Sequence, residues 1–280
     1  MAQNGDAVMA IRLVTDEKIA ETSSKGNQEK WYDTQTGCWY KLDQFGYEAL
    51  AETLVSTLLL ESNIETDSGF TFVRYHMERL NLRGVVRTGC SSKNFLQPGQ
   101  SLITINKLLT NYLGLPLTKK LMQLPSDKKR IAYIAEETAS CTGLARFPQY
   151  LTLLFEVDAL FCNDDRHLNN IAVIEQDGKY DYCPIFDNAA GLLSNMQIFR
   201  MDIMPKALIA ALKARPFNTT FTRQMKSARS LFGKQLIVPQ YSVNDVAEAM
   251  HPLLDYYAKR DRAIIADRVI ECIISRRKVM

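Results

Sequence analysis

The sequence predicts an α+β chain in two lobes, a small β-rich lobe holding one helix and then a larger helical lobe. Three observations carry this. Strand-like segments crowd the first part of the chain around a single periodic helix. Most of the remaining chain has helical spacing, with Ser or Asp starts and Gly stops. One polar stretch interrupts the helical part, "NDDRHLNNIAVIEQDGKYDYCPIFDNAAG" from Asn163 to Gly191, where Asp and Asn crowd beside two apolar runs.

The first lobe reads as a series of short elements. Residues 7–14, "AVMAIRLV", are β-branched and apolar enough for a strand, and a polar stretch, "ETSSKGNQEK", comes after it. "KWYDTQTGCWYKL" reads as a hairpin with aromatic strands and a turn at Thr34 to Gly37. Residues 47–61 form a helix, because Leu50, Leu54, Val55 and Leu58 recur at three- and four-residue spacing. Residues 69–77, "GFTFVRYHM", suggest another strand. A lobe boundary near His76 to Asn81 divides the chain into 1–78 and 79–280.

In the second lobe, 101–114 reads as a helix capped by Ser101 and stopped by Gly114. Another runs from Ser126 or Asp127 to Gly143. "FPQYLTLLFEVDALFC" carries Pro148 at a first-turn position and is apolar throughout, as a central buried helix is. Two short strands joined at Asp177-Gly178 come next. Further helices occupy 203–214 and the chain from Ser242 on, with a break at Pro252.

Composition narrows the function classes. The chain has 280 residues, 46% hydrophobic and 23% charged, with a net charge of +3. Its basic residues are scattered among acids rather than gathered in the stripe of a nucleic-acid binder, so no direct nucleic-acid partner is expected. Six dispersed Cys and only three His argue against structural zinc. Scattered Cys in a chain this size read as reduced thiols, which places the protein in the cytoplasm. The N-terminus lacks the basic start of a signal peptide, and no window is apolar enough to span a membrane, so no membrane partner is expected.

The polar stretch carries the chemistry. Asp165, Asn170 and Asp187 fall at the mouths of the small hairpin. Phosphoryl transfer from Mg-ATP needs such a set: one carboxylate for the acceptor hydroxyl, an Asn and a second carboxylate as hard oxygen ligands for Mg²⁺. The gap of five from Asp165 to Asn170 equals that of the H-R-D-L-x-x-x-N loop of protein kinases, although His167 comes after the Asp here. Asp and Asn also serve as plain turn formers. The "PIFD" after the hairpin and the lobe order upstream tip the reading toward chemistry.

"DRHLNN" and then "PIFDNAAG" resemble the catalytic and metal motifs of the HipA-like branch of the protein-kinase superfamily, and within it the compact CtkA type. The D-R-H-x-x-N order also resembles the phosphoinositide kinases. "SSKGNQEKWY" looks like a HipA-type phosphate loop, "CWYKL" like the strand of the ATP lysine, and "YEALAETLV" like the helix of its Glu partner. The resemblance implies a bilobal protein-kinase-like fold and spans roughly residues 20 to 195 in consistent order. Asp165 would be the catalytic Asp, His167 would brace its loop, and Asn170 and Asp187 would hold the metal. Lys41 would contact the ATP phosphates and Glu48 would pair with it, with Glu52 one turn along as the rival. Ser24, Lys25, Gly26, Asn27 and Gln28 would cover the phosphates. Only the family register selects Asp165 over Asp164.

The function implied is an ATP- and Mg²⁺-dependent kinase acting on a Ser or Thr hydroxyl of a protein substrate. Loop hydroxyls Ser23 and Ser24 imply autophosphorylation, and a CtkA-like chain would be delivered to a host cell. A lipid or small-molecule kinase is the first alternative. The other is a nucleotide-binding toxin or regulator of the HipA type, which intact Asp165, Asn170 and Asp187 argue against. Lys41, read as an exposed strand-end lysine, is expected to matter more for transfer than for stability.

Overall fold

The computed structural model describes residues 11–14 and 29–280. The small lobe is a five-stranded sheet in the order β1-β4-β5-β3-β2. Its strands are β1 (Ile11–Val14), β2 (Lys30–Asp33), β3 (Cys38–Leu42), β4 (His76–Leu82) and β5 (Val85–Lys93). All neighbours are antiparallel except β1, which runs parallel to β4. The hairpin expected over 30–42 forms, with Lys30 opposite Lys41 and Trp31 opposite Tyr40. Gly37 supplies the left-handed residue of its turn at φ 66°. Trp31, Tyr40, Leu42 and Leu80 make a small core on one face of the sheet. Helix α1 (Glu48–Leu59) packs under the sheet and is buried along nearly its whole length.

The large lobe holds α2 (Ile105–Leu113), α3 (Leu117–Met122), α4 (Asp127–Thr142) and α5 (Phe147–Phe161), then α6 (Pro205–Ala211), α7 (Phe221–Phe232), α8 (Val243–Leu254) and α9 (Lys259–Arg277). A second sheet consists of β6 (Ser101–Thr104), β7 (Ala172–Gln176) and β8 (Lys179–Tyr182), the last two falling between α5 and α6 in the chain. The apolar α5 is the centre of the core, packed by α4, α7 and α9. No helix among the described residues is long and apolar enough to cross a membrane.

Several expectations are corrected. The division at 78/79 falls inside β4, whose seven residues all pair with β5, so the small-lobe sheet runs on to Lys93. Strand β5 was not expected because "RTGCSSK" is small and polar; its Gly89 is required where a Cβ would lie 2.4 Å from the Lys41 carbonyl oxygen. The strand expected over 69–77 starts only at His76. Phe70, Phe72 and Tyr75 instead turn into the core, where Phe70 meets the edges of Tyr150 and Tyr182. Ser101 begins strand β6 rather than a helix, and the helix cap is Thr104, whose hydroxyl accepts from the Lys107 amide. Pro252 sits within α8, near its C-terminus, and does not break it. Helix α7 was not expected from the sequence.

Candidate active site

The cleft between the two sheets is built around Lys41. Its position in β3 directs Nζ beneath the sheet, 2.5 Å from Glu52 Oε1 and 2.8 Å from Asp187 Oδ1. The Tyr75 ring lies below it, 5.3 Å from the ammonium. Glu52 is fully buried, and its other oxygen accepts the Asn188 amide at 2.8 Å. One carboxylate on α1 thus holds both the lysine of the small lobe and the backbone next to Asp187. Burial raises the Glu52 pKa, and Lys41 opposes this. Burial would also raise that of Asp187, but the Lys41 ammonium, with Lys30 and Arg166 behind it, holds the carboxyl well below the usual range. Against its own burial, Lys41 is raised by Asp187 and Glu52.

Glu48 is not the partner of Lys41. Its two oxygens accept the amides of Phe45 and Gly46, at 2.7 and 2.9 Å, and fasten the turn into α1. That turn closely approaches the chain beyond Asp187. A Cβ on Gly46 would sit 2.0 Å from the Ser194 carbonyl oxygen, so only Gly fits. The stability expectation for Lys41 is also corrected. Its side chain is only 11% exposed and neutralises two acids, so its loss leaves buried charge unpaired.

On the large-lobe side, α5 ends at Cys162, in the left-handed region at φ 56°. The chain then turns through Asp164, Asp165 and Asn170 into β7. The Asp165 carbonyl oxygen accepts the His167 amide and the Asn170 side-chain amide, at 2.8 and 3.0 Å. The Asn170 amide oxygen is thereby left as the acceptor end. Burial raises the pKa of Asp165, and the nearby Asp187 adds to it against His167. Burial and then Asp165 push Asp164 up to about 6.

The brace of this loop is Arg166 rather than the His167 side chain, which lies 43% exposed with Nε2 3.8 Å from Asp165 Oδ2. The Arg166 guanidinium is fully buried. It donates to Asp158 of α5, to the Asn170 and Phe186 carbonyls and to Asn188 Oδ1, at 2.6–3.2 Å. It therefore ties α5, the Asp165 loop and the Asp187 segment into one unit. The sequence held a signal for it: Asp158 is an acid deep inside an apolar helix, and a buried acid needs a buried cation.

Lys41, Asp165, Asn170 and Asp187 line one cleft of about 800 Å³, joined by Lys30 and Arg215. Lys30 was not singled out from sequence; burial and then Lys41 lower its pKa. Ser24, Lys25, Gly26, Asn27 and Gln28, and Ser23 before them, lie outside the described residues. Among the described residues no group of three His, Cys, Asp or Glu side chains forms a metal site. Asp187, kept ionised by Lys41, and the Asn170 amide oxygen are hard oxygen donors on one cleft, a donor set that fits Mg²⁺ and would hold it.

A strand-borne lysine paired with a helix glutamate, set over a helical lobe with an Asp/Asn loop and a later Asp, defines the bilobal kinase-like architecture. No family model matches the sequence, and no curated protein matches it. Solved structures do. The Helicobacter pylori proinflammatory kinase CtkA shares the fold at a TM-score of 0.57 and 11% identity, covering 92% of both chains. A chain of the Shewanella oneidensis MR-1 toxin–antitoxin complex of HipA, HipB and operator DNA matches at a TM-score of 0.50 and 12% identity. That match covers 91% of this chain and 64% of the other. The chain therefore has the HipA-like, kinase-related α+β fold.

Proposed function

We propose that the chain is an ATP- and Mg²⁺-dependent phosphotransferase that moves the γ-phosphoryl group to a Ser or Thr hydroxyl of a protein. The observation that carries this is the Glu52–Lys41–Asp187 ion cluster bridging the lobes, with Asp165 and Asn170 facing the same cleft. The structural neighbours include a kinase, and the fold is theirs; the chemistry rests on the site.

Lys41 and Lys30 supply positive charge for phosphate oxygens, and Glu52 fixes where the Lys41 ammonium points. Asp187 and Asn170 would hold Mg²⁺, which offsets the charge of the phosphates. Asp165 orients the acceptor hydroxyl and receives its proton. The hydroxyl oxygen forms a bond to the γ-phosphorus as the bond to the β,γ-bridging oxygen breaks, and ADP leaves.

A melting experiment tests the metal–nucleotide assignment. Ligand at ~100 times its dissociation constant stabilises the native state by roughly 2.7 kcal/mol, or about 5–10 °C here. Wild type and Asp165→Ala should both show this shift with ATP only when Mg²⁺ is present, and Asp187→Ala should show little. A full shift in Asp187→Ala contradicts the assignment.

A further inference from the structure

A second groove of about 370 Å³ adjoins the cleft, with Asp164, Ile198, Phe199 and Arg215 lining both. Ile198, Phe199, Leu208 and Leu212 form apolar walls, and Asp164 and Arg215 stand where it joins the cleft. The groove is built, not incidental. The buried Arg268 donates to the carbonyls of Phe199 and Arg200, at 2.8 and 3.1 Å, and fixes one wall. The loop bearing Arg215 is closed by two backbone hydrogen bonds between Ala214 and Thr219. The buried Gln224 holds the Arg215 carbonyl at 2.7 Å. Yet the Arg215 guanidinium itself makes no ion pair or hydrogen bond among the described residues. Its charge reaches both Asp164 and Asp165.

Ile198, which lines both the groove and the cleft, is 68% exposed, and Ile203 and Met204 a few residues further along the chain are exposed as well. Clustered apolar exposure next to a polar cleft marks a macromolecular ligand. A guanidinium whose N–H donors are all unused beside it matches a carboxylate, which it receives through two parallel N–H donors.

We propose that the phosphoryl acceptor is a polypeptide segment carrying an acidic side chain for Arg215 and a bulky apolar side chain for the adjoining groove. This rests on the phosphotransferase reading and names the substrate class of that site. A small metabolite has no use for the apolar groove.

The test is steady-state phosphorylation of synthetic Ser and Thr peptides by the full chain. The peptides carry Asp or Lys beside the acceptor, and Leu or Ser as the neighbouring groove residue. Wild type should show a KM at least about tenfold lower for the Asp–Leu peptide than for its Lys–Leu counterpart, the size of one charge-assisted hydrogen bond. Arg215→Glu should reverse that preference and keep the Mg-ATP melting shift. Labelling of peptides without regard to charge, or an unchanged preference in Arg215→Glu, overturns the inference and leaves the phosphotransferase reading standing. Transfer to phosphoinositide vesicles and to no peptide overturns it in favour of a lipid acceptor. Transfer to nothing overturns both.

Discussion

Lys41 of the small lobe reaches across the cleft to Asp187 of the large lobe, 2.8 Å from Nζ to Oδ1, while Glu52 holds the same ammonium from α1. A lysine that links the lobes couples their relative placement to the charge state of the site. Glu52 strengthens that coupling because its second oxygen holds the Asn188 amide.

Glu52 and Glu48 should therefore differ sharply. Glu52→Gln keeps the shape but removes the charge that orients Lys41, and transfer should fall by roughly 10²-fold, the scale of losing one preorganised electrostatic contact. Glu48→Gln should stay within about threefold, because its carboxylate is held by backbone amides and does not hold Lys41. Lys41→Met should lose transfer and also destabilise, by about 3–5 kcal/mol, since it strands the buried Glu52 carboxylate and leaves Asp187 without its partner. Turnover and melting of the three variants check this. Equal losses for Glu48 and Glu52 contradict it.

Both glutamates lie on one helix, four residues and one turn apart, so periodicity places them on the same face. What separates them is the turn before α1, whose amides capture Glu48. No pattern in the sequence shows that capture. The hairpin over 30–42 was legible because its aromatic alternation and Gly37 agree. That Asp165, Asn170 and Asp187 face one cleft was legible because they fall at the mouths of one small hairpin. Arg166 was signalled only indirectly, by the acid Asp158 within an apolar helix, since an Arg between two singled-out residues reads as solvated until its four acceptors are seen. The Lys93 end of the small sheet was hidden because β5 is polar and takes its strand character from pairing on both sides.

Arg166 should be a folding requirement more than a chemical one. Replacing it with Met leaves Asp158 buried and unpaired and frees two backbone carbonyls. The expected loss is about 3–5 kcal/mol, or roughly 6–20 °C in melting temperature. Arg166→Lys should recover part of it, as Lys can reach Asp158 but not four acceptors at once. Melting curves of the two variants decide the order.

Asp43 predicts a pH effect. It lies before α1 and accepts the Ala49 amide at 2.6 Å and the Tyr257 hydroxyl at 2.8 Å, so it ties α1 to the junction of α8 and α9. Burial and then Glu48 push its pKa from 3.8 to about 8. The folded state thus binds more protons than the unfolded one between those values. Stability from this group is complete below pH ~4, declines as pH rises and levels off above about 8. The melting temperature should fall by roughly 8–16 °C from pH 5 to pH 8.5 on this account. Asp43→Asn, which keeps an acceptor for Ala49, should lack most of that fall. A parallel fall in wild type and variant contradicts the assignment.

The central claim is transfer at Asp165, and incubation with γ-labelled ATP and Mg²⁺, with phosphosite mapping of the chain and of added peptides, tests it most directly. Wild type should incorporate label, Asp165→Asn should not, and Asp164→Asn should retain most of the activity. Absence of label with wild type that binds Mg-ATP, or a greater loss in Asp164→Asn than in Asp165→Asn, would contradict the account.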